Sequence, residues 1–229
     1  MRRVTTLLVL IVVTASCSGS GDVDTTVADT AREPGAAVQQ WIDALAAGRA
    51  DEALAVVEPA GLAVVIAVEN SLNPDQLATL LTDGVPTDLN ASYWSSFVES
   101  FATFRGMTLS SVTVGETTPF DVEGVPFAAV TIHAGDGSGE VITRGADDGT
   151  WRVDMAATVG PGLASAVADD LPAGLEGDGG DAIATAYETA VVPGLSAALT
   201  RDPSNRALVF DIEYIVQLLA QHPLPATQG

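Results

Sequence analysis

The side chains that could do chemistry are few and far apart. The chain of 229 residues has two histidines, His133 and His222, and one cysteine, Cys17. No HxxxH, HExxH or CxxC spacing occurs in the sequence, so the usual ligand sets of a transition metal are missing. The acidic stretches Asp136-Gly137-Ser138 and Asp147-Asp148-Gly149 lack the spacing of a calcium loop and read as hairpin turns. There is no GxSxG nucleophile turn and no phosphate-binding glycine loop. Within strand-patterned sequence the candidate acid–base groups are His133 and Asp154. His133 shares phase with Thr131, opposite Val130 and Ile132. Asp154 alternates with Trp151 and Val153. Both are therefore expected on the solvent side of a sheet, and no residue is assigned a catalytic role. No metal or cofactor is expected.

Cys17 follows an apolar run, residues 4–16, that itself follows Arg2 and Arg3. The run is shorter than the roughly 20 residues a membrane-spanning helix needs, and it reads as a secretion signal. Val13-Thr14-Ala15-Ser16-Cys17 resembles the bacterial lipobox, with Thr14 where Leu is usual. That resemblance implies a diacylglycerol on Cys17, which becomes the mature N-terminus. It places the protein outside the cytoplasm, anchored by lipid to the outer face of the cell membrane, or to the outer membrane of a cell that has two. A lone cysteine has no intramolecular partner, so the fold is expected to hold without a disulfide.

The chain contains no lysine; all nine basic residues are arginine. Removing the leader takes Arg2 and Arg3, leaving seven arginines against 30 carboxylates, a formal charge of −23. Such a surface repels nucleic acid and anionic headgroups, which excludes nucleic-acid binding and leaves the lipid as the membrane attachment. Residues 18–35 are small, polar and acidic, with Pro34-Gly35 as a stop, and read as a disordered tether.

The elements that must position any site begin at Ala36. Val38, Trp41, Ile42 and Leu45 fall at helical spacing, with Gly48 beyond. Arg49-Ala50-Asp51-Glu52 starts a second short helix through about Val57, stopped by Pro59. Residues 61–69 are apolar throughout, and their length and alanine content favour a buried helix. Asn73-Pro74-Asp75-Gln76 is a helix start with a capping box. A further helix over Ala91–Arg105 carries the aromatic stripe Tyr93, Trp94, Phe97, Phe101 and Phe104. Asn90-Ala91-Ser92 fits a glycosylation sequon and also a helix start; the helix start is favoured.

The pattern then changes to period two around Val112 and Val114, Ala128, Val130 and Ile132, Val141–Arg144, and Trp151, Val153 and Met155. Loops at 136–139 and 147–149 separate the later runs. Consecutive antiparallel strands in a meander are predicted. From Gly160 the chain is helical again: Leu163–Leu171, a flexible acidic loop at 172–180, and a helix from Asp181 to about Val192, interrupted by Pro193-Gly194. A last helix is striped by Leu208, Ile212, Ile215 and Leu219.

Helices followed by an antiparallel meander make an α+β chain. Two motifs carry a closer likeness: Trp41-Ile42-Asp43-Ala44-Leu45 with the break at Gly48-Arg49 and the helix through Ala53-Leu54, and the hairpin ending Gly149-Thr150-Trp151-Arg152-Val153. Together they resemble the NTF2-like, cystatin-like superfamily, found in many exported bacterial lipoproteins. The resemblance covers about residues 36–158 and leaves 159–229 as a helical C-terminal extension. It implies N-terminal helices packed on a curved antiparallel sheet as a cone. Trp41, Tyr93, Trp94, Phe97, Val130, Ile132, Trp151 and Val153 would line its apolar pocket.

The function expected is non-enzymatic: binding of a small apolar ligand or of an envelope protein. Two alternatives stand beside it. One is an envelope assembly factor acting through the helical tail, which a broad apolar patch on the last helix would favour. The other is an isomerase or dehydratase of the superfamily, which a carboxylate or histidine paired with a tyrosine inside the cone would favour.

Overall fold

The computed structural model describes residues 32–222; Cys17, the leader at 1–17 and residues 18–31 of the expected tether lie outside them. The described chain is α+β, with a four-stranded antiparallel sheet in the order β1-β2-β3-β4. It forms two compact units that interleave along the sequence. One is built from residues 32–57 and 87–153, the other from 58–86 and 154–222.

The first unit holds α1 (Pro34–Ala46), α2 (Ala50–Ala55), α5 (Thr87–Arg105) and the strands. Pro34 starts α1 instead of ending the tether, since its missing N–H falls at a position that needs no partner. β1 (Thr113–Val122) and β2 (Val125–Ala134) are longer than the alternation of valines predicts. The turn between them, Glu123-Gly124, has positive φ at both residues, 54° and 86°, as a two-residue hairpin of this hand requires. The next turn is Gly135-Asp136, so Gly137–Gly145 is strand β3 and the expected loop at 136–139 shrinks to two residues. β1 carries a register irregularity between Val114 and Thr117. β4 is only Trp151–Val153, and the Val153 N–H donates to the Val56 carbonyl at 2.8 Å. α1 packs on the sheet through Val38, Trp41, Ile42 and Leu45, all buried.

The second unit is helical: α3 (Pro59–Glu69), α4 (Pro74–Asp83), α6 (Met155–Thr158), α7 (Ala164–Glu176), α8 (Gly180–Ala186), a π-turn (Tyr187–Val191), α9 (Val192–Arg201) and α10 (Arg206–Gln221). The chain enters this unit at Glu58, leaves it after Pro86 and re-enters it at Asp154. The insertion of 58–86 into the helical unit was not legible. α3 buries seven residues around its whole circumference, so it needs helices on every side, and a sheet offers only one face. Its start is capped by the Glu58 carboxylate, which accepts from Ala60 and Gly61 N–H at 3.0 and 2.6 Å. The capping box of α4 forms as predicted: Asn73 accepts from Gln76 N–H at 2.9 Å, and Gln76 from Asn73 N–H at 3.0 Å.

Two helix breaks predicted at prolines are absent. α7 runs through Pro172, and the acidic loop shortens to residues 177–179. Residues 180–201 form one continuous helical stretch past Pro193. The π-turn immediately before Val192 widens the helix where the Pro193 ring would otherwise meet the Thr189 carbonyl. This stretch is long and apolar enough to cross a bilayer, yet 56% of its most apolar window is buried. Ile183, Tyr187, Val191 and Leu195 pack there against Val167, Leu171, Leu208 and Ile215.

Candidate functional site

The aromatic residues expected to line a pocket come together and fill space. Trp41 from α1 meets Trp94 from α5 edge-to-face, with centroids 5.9 Å apart and planes at 74°. Phe97 sits 5.6 Å from Trp41 and 5.7 Å from Trp94, and Tyr93 is 4.8 Å from Trp94. Trp41, Tyr93 and Trp94 are buried, and Phe97 is half-buried. Their spacing on α5 brings successive rings to one face, and Gly48 past α1 (φ 69°) lets the chain turn back beneath them. Val130 and Val153 are buried in the sheet, while Ile132 and Trp151 are half-exposed. None of the eight lines the cavity described below, which lies in the helical unit.

The buried polar groups of this region are structural. Among the described residues, neither indole N–H, of Trp41 or of Trp94, has an oxygen or nitrogen acceptor. Their edge-to-face contact is a geometry in which an indole N–H can meet a π face. Asn90 is fully buried and donates to Asp51 Oδ1 of α2 at 3.2 Å, so the sequon asparagine is inside the fold.

Of the two acid–base candidates, His133 is exposed, opposite Thr113 on β1, as the alternation predicts. Asp154 overturns its prediction: it is fully buried. The strand ends at Val153, so period two no longer applies one residue on. Asp154 is the N-cap of α6, accepting from Ala157 N–H at 2.9 Å. A Cβ added at Gly194 of α9 would lie 2.8 Å from Asp154 Oδ1, so the carboxylate is also walled in by that helix. Met155, expected as a strand residue, is buried in the first turn of α6.

The helical unit supplies two further features, a cavity that the sequence did not single out and an exposed face on the last helix, where a patch was considered. One is a cavity of about 70 Å³ between α3, α4, α7 and the π-turn. Leu72, Leu77, Leu171 and Ile183 form its apolar wall, and Asp170 and Tyr187 its polar edge. The Tyr187 hydroxyl donates to the Val167 carbonyl at 3.0 Å. Burial, then the nearby Asp170, push its pKa well above the ordinary tyrosine value. Burial and the neighbouring Asp169 raise Asp170, and the same two causes raise Asp211 on α10. The local signal nearest this cavity is Pro172, inside α7 between the lining residues Leu171 and Ala173, which reads in the sequence as the start of a loop.

The other feature is the outer face of α10. Leu208, Ile215 and Leu219 are buried on one side, as the stripe predicts. On the other, Phe210 is 69% exposed and Tyr214 44%, while Val216, on a flank of the helix, is 46% exposed. Among the described residues, no group of three or more His, Cys, Asp or Glu side chains is arranged to hold a metal ion. Compared with family models, curated proteins and solved structures, the chain has no significant match.

Proposed function

We propose that this protein is a lipid-anchored extracytoplasmic binding protein, non-enzymatic, which docks an envelope protein through α10. The anchor is Cys17 in its lipobox-like setting. Residues 36–158 remain our candidate for an NTF2-like region, supported by the helices that precede a four-stranded meander and by the packing of α1 on it. The observation that carries the docking role is the exposure of Phe210 and Tyr214, one turn apart on the same helix. A single exposed apolar side chain is ordinary; two aromatic rings held side by side on a rigid helix are the kind of anchor that protein interfaces use. Two readings lose support. A ligand in the aromatic cone would have to displace rings packed at 4.8–5.9 Å. An isomerase would need an acid–base group beside them, and Asp154 is engaged in capping α6.

The test places a photo-crosslinking residue at position 210 of the full chain in intact cells, with position 188, also exposed, as the control. A discrete adduct with an envelope protein is expected at 210 and not at 188. It should disappear in Tyr214→Asp while circular dichroism and thermal midpoint stay unchanged. A fatty-acid probe should label wild type and not Cys17→Ser. Equal adducts at both positions, an adduct only with a second copy of the chain, or labelling of Cys17→Ser would reject the proposal.

A further inference from the structure

We propose that the cavity between α3, α4, α7 and the π-turn binds a small aliphatic ammonium compound, with its chain against Leu77, Leu171 and Ile183 and its cation at Asp170. The site is separate from the docking face of α10 and does not depend on it.

Size sets the chain. At about 70 Å³ the cavity is roughly half of an engineered apolar cavity of about 150 Å³ that admits benzene. It takes a short unbranched or once-branched aliphatic group and excludes a ring. The wall is held in place. A Cβ at Gly174 would meet Ile183 Cγ2 at 3.3 Å, so α7 and α8 already approach closely there. Pro172 removes one ladder hydrogen bond from α7 beside the opening. The single-turn π segment that carries Tyr187 is a feature that recurs at functional sites.

Charge sets the head group. Asp170 stands exposed at the rim with Asp169 next to it in sequence. Burial and that like charge both disfavour the ionised Asp170, and a cation at the rim offsets both. The opposing influence is the N-terminus of α4, at Asn73 and Pro74, whose dipole favours an anion. That end is already satisfied by the Asn73–Gln76 capping box, and Asp75 puts a carboxylate in its first turn. The Tyr187 hydroxyl is committed to Val167, so its proton does not serve an anion either. An aliphatic group bearing a positive charge complements both the apolar wall and the carboxylate at the rim.

The test titrates the full chain, methyl-labelled at Ile, Leu and Val, with n-butylammonium chloride, n-butanol and sodium butyrate in parallel. Saturable shifts of the Leu77, Leu171 and Ile183 methyls are expected for butylammonium, in the millimolar range suited to a ligand of five heavy atoms. Butanol should bind several-fold more weakly and butyrate not at all. Asp170→Asn should weaken butylammonium by about three- to five-fold, the range of a partly exposed ion pair. Ala173→Phe, at an exposed rim position, should abolish the shifts. No saturable shift, butanol or butyrate binding as well as the amine, or an unaltered affinity in Asp170→Asn would overturn the proposal.

Discussion

Asp154 shows how one residue changes role when an element ends one position earlier than its pattern suggests. Alternation along Trp151, Val153 and Met155 puts Asp154 on the wet face of a strand. The strand stops at Val153, and the same carboxylate becomes a fully buried cap. A cap needs a side-chain oxygen in reach of the N3 N–H, which Asn supplies nearly as well as Asp. Asp154→Ala should therefore cost about 1 kcal/mol, within the range of about 0.5–2 kcal/mol for lost caps. Asp154→Asn should cost distinctly less. Chemical denaturation of the two variants compares them; equal losses would mean that the charge of Asp154, and not its cap, is what the fold uses.

At the scale of elements, the helical unit depends on close approach at small residues. α6 and α9 meet where a Cβ on Gly194 would lie 2.8 Å from Ala156 Cβ and 3.1 Å from the Ala157 nitrogen. Both atoms belong to α6, one of them backbone, so no rotamer change makes room. Gly194→Ala should destabilise by about 1–3 kcal/mol, the usual cost of overpacking, even though alanine favours a helix. Thermal unfolding reads the loss. An unchanged or raised midpoint would show that the helices can separate freely. Gly124 is a different case: a Cβ there meets nothing within 4 Å, and its constraint is the φ of 86° in the β1–β2 turn.

At the scale of the molecule, charge and burial act in the same direction with pH. The formal charge of −21 disfavours compactness at neutral pH. Glu69 at the end of α3 is raised by burial; Asp170 and Asp211 are raised by burial and then by Asp169. A raised carboxyl binds more protons folded than unfolded, so stability falls as pH rises through its folded value. The contribution is complete only below the ordinary values of 4.5 and 3.8. Acidifying from neutral toward those values should therefore raise the unfolding midpoint of the helical unit. In Glu69→Gln/Asp170→Asn/Asp211→Asn the rise should shrink. Asp148 works the other way: Thr150 hydrogen bonds lower it, so its contribution is lost only below the ordinary value. Scanning calorimetry across this window checks the sign, and a midpoint that falls on mild acidification would contradict it.

Local signals in the sequence determined a good part of this fold. Asn73, Pro74 and Gln76 made the start of α4 legible, because a cap and its box lie within four residues. The stripe of α10 was legible because its buried face repeats at helical spacing. The meander followed from period two and consecutive turns. The lipobox-like run ending at Cys17 speaks only of its own segment, outside the described residues. What tertiary structure decided were the relations that span the chain. α3 is apolar on all sides, and only its helical neighbours assign it to the C-terminal unit. Pro172 and Pro193 read locally as stops, and packing of Leu171, Gly174, Val191 and Leu195 outweighs one lost hydrogen bond at each. Tyr93, Trp94 and Phe97 announced an aromatic face, but whether rings line a space or fill it depends on what α1 brings opposite them. The physical reason is common to all three: caps and periodicity are set within a turn or two of chain, whereas burial is set by partners that the local sequence does not name.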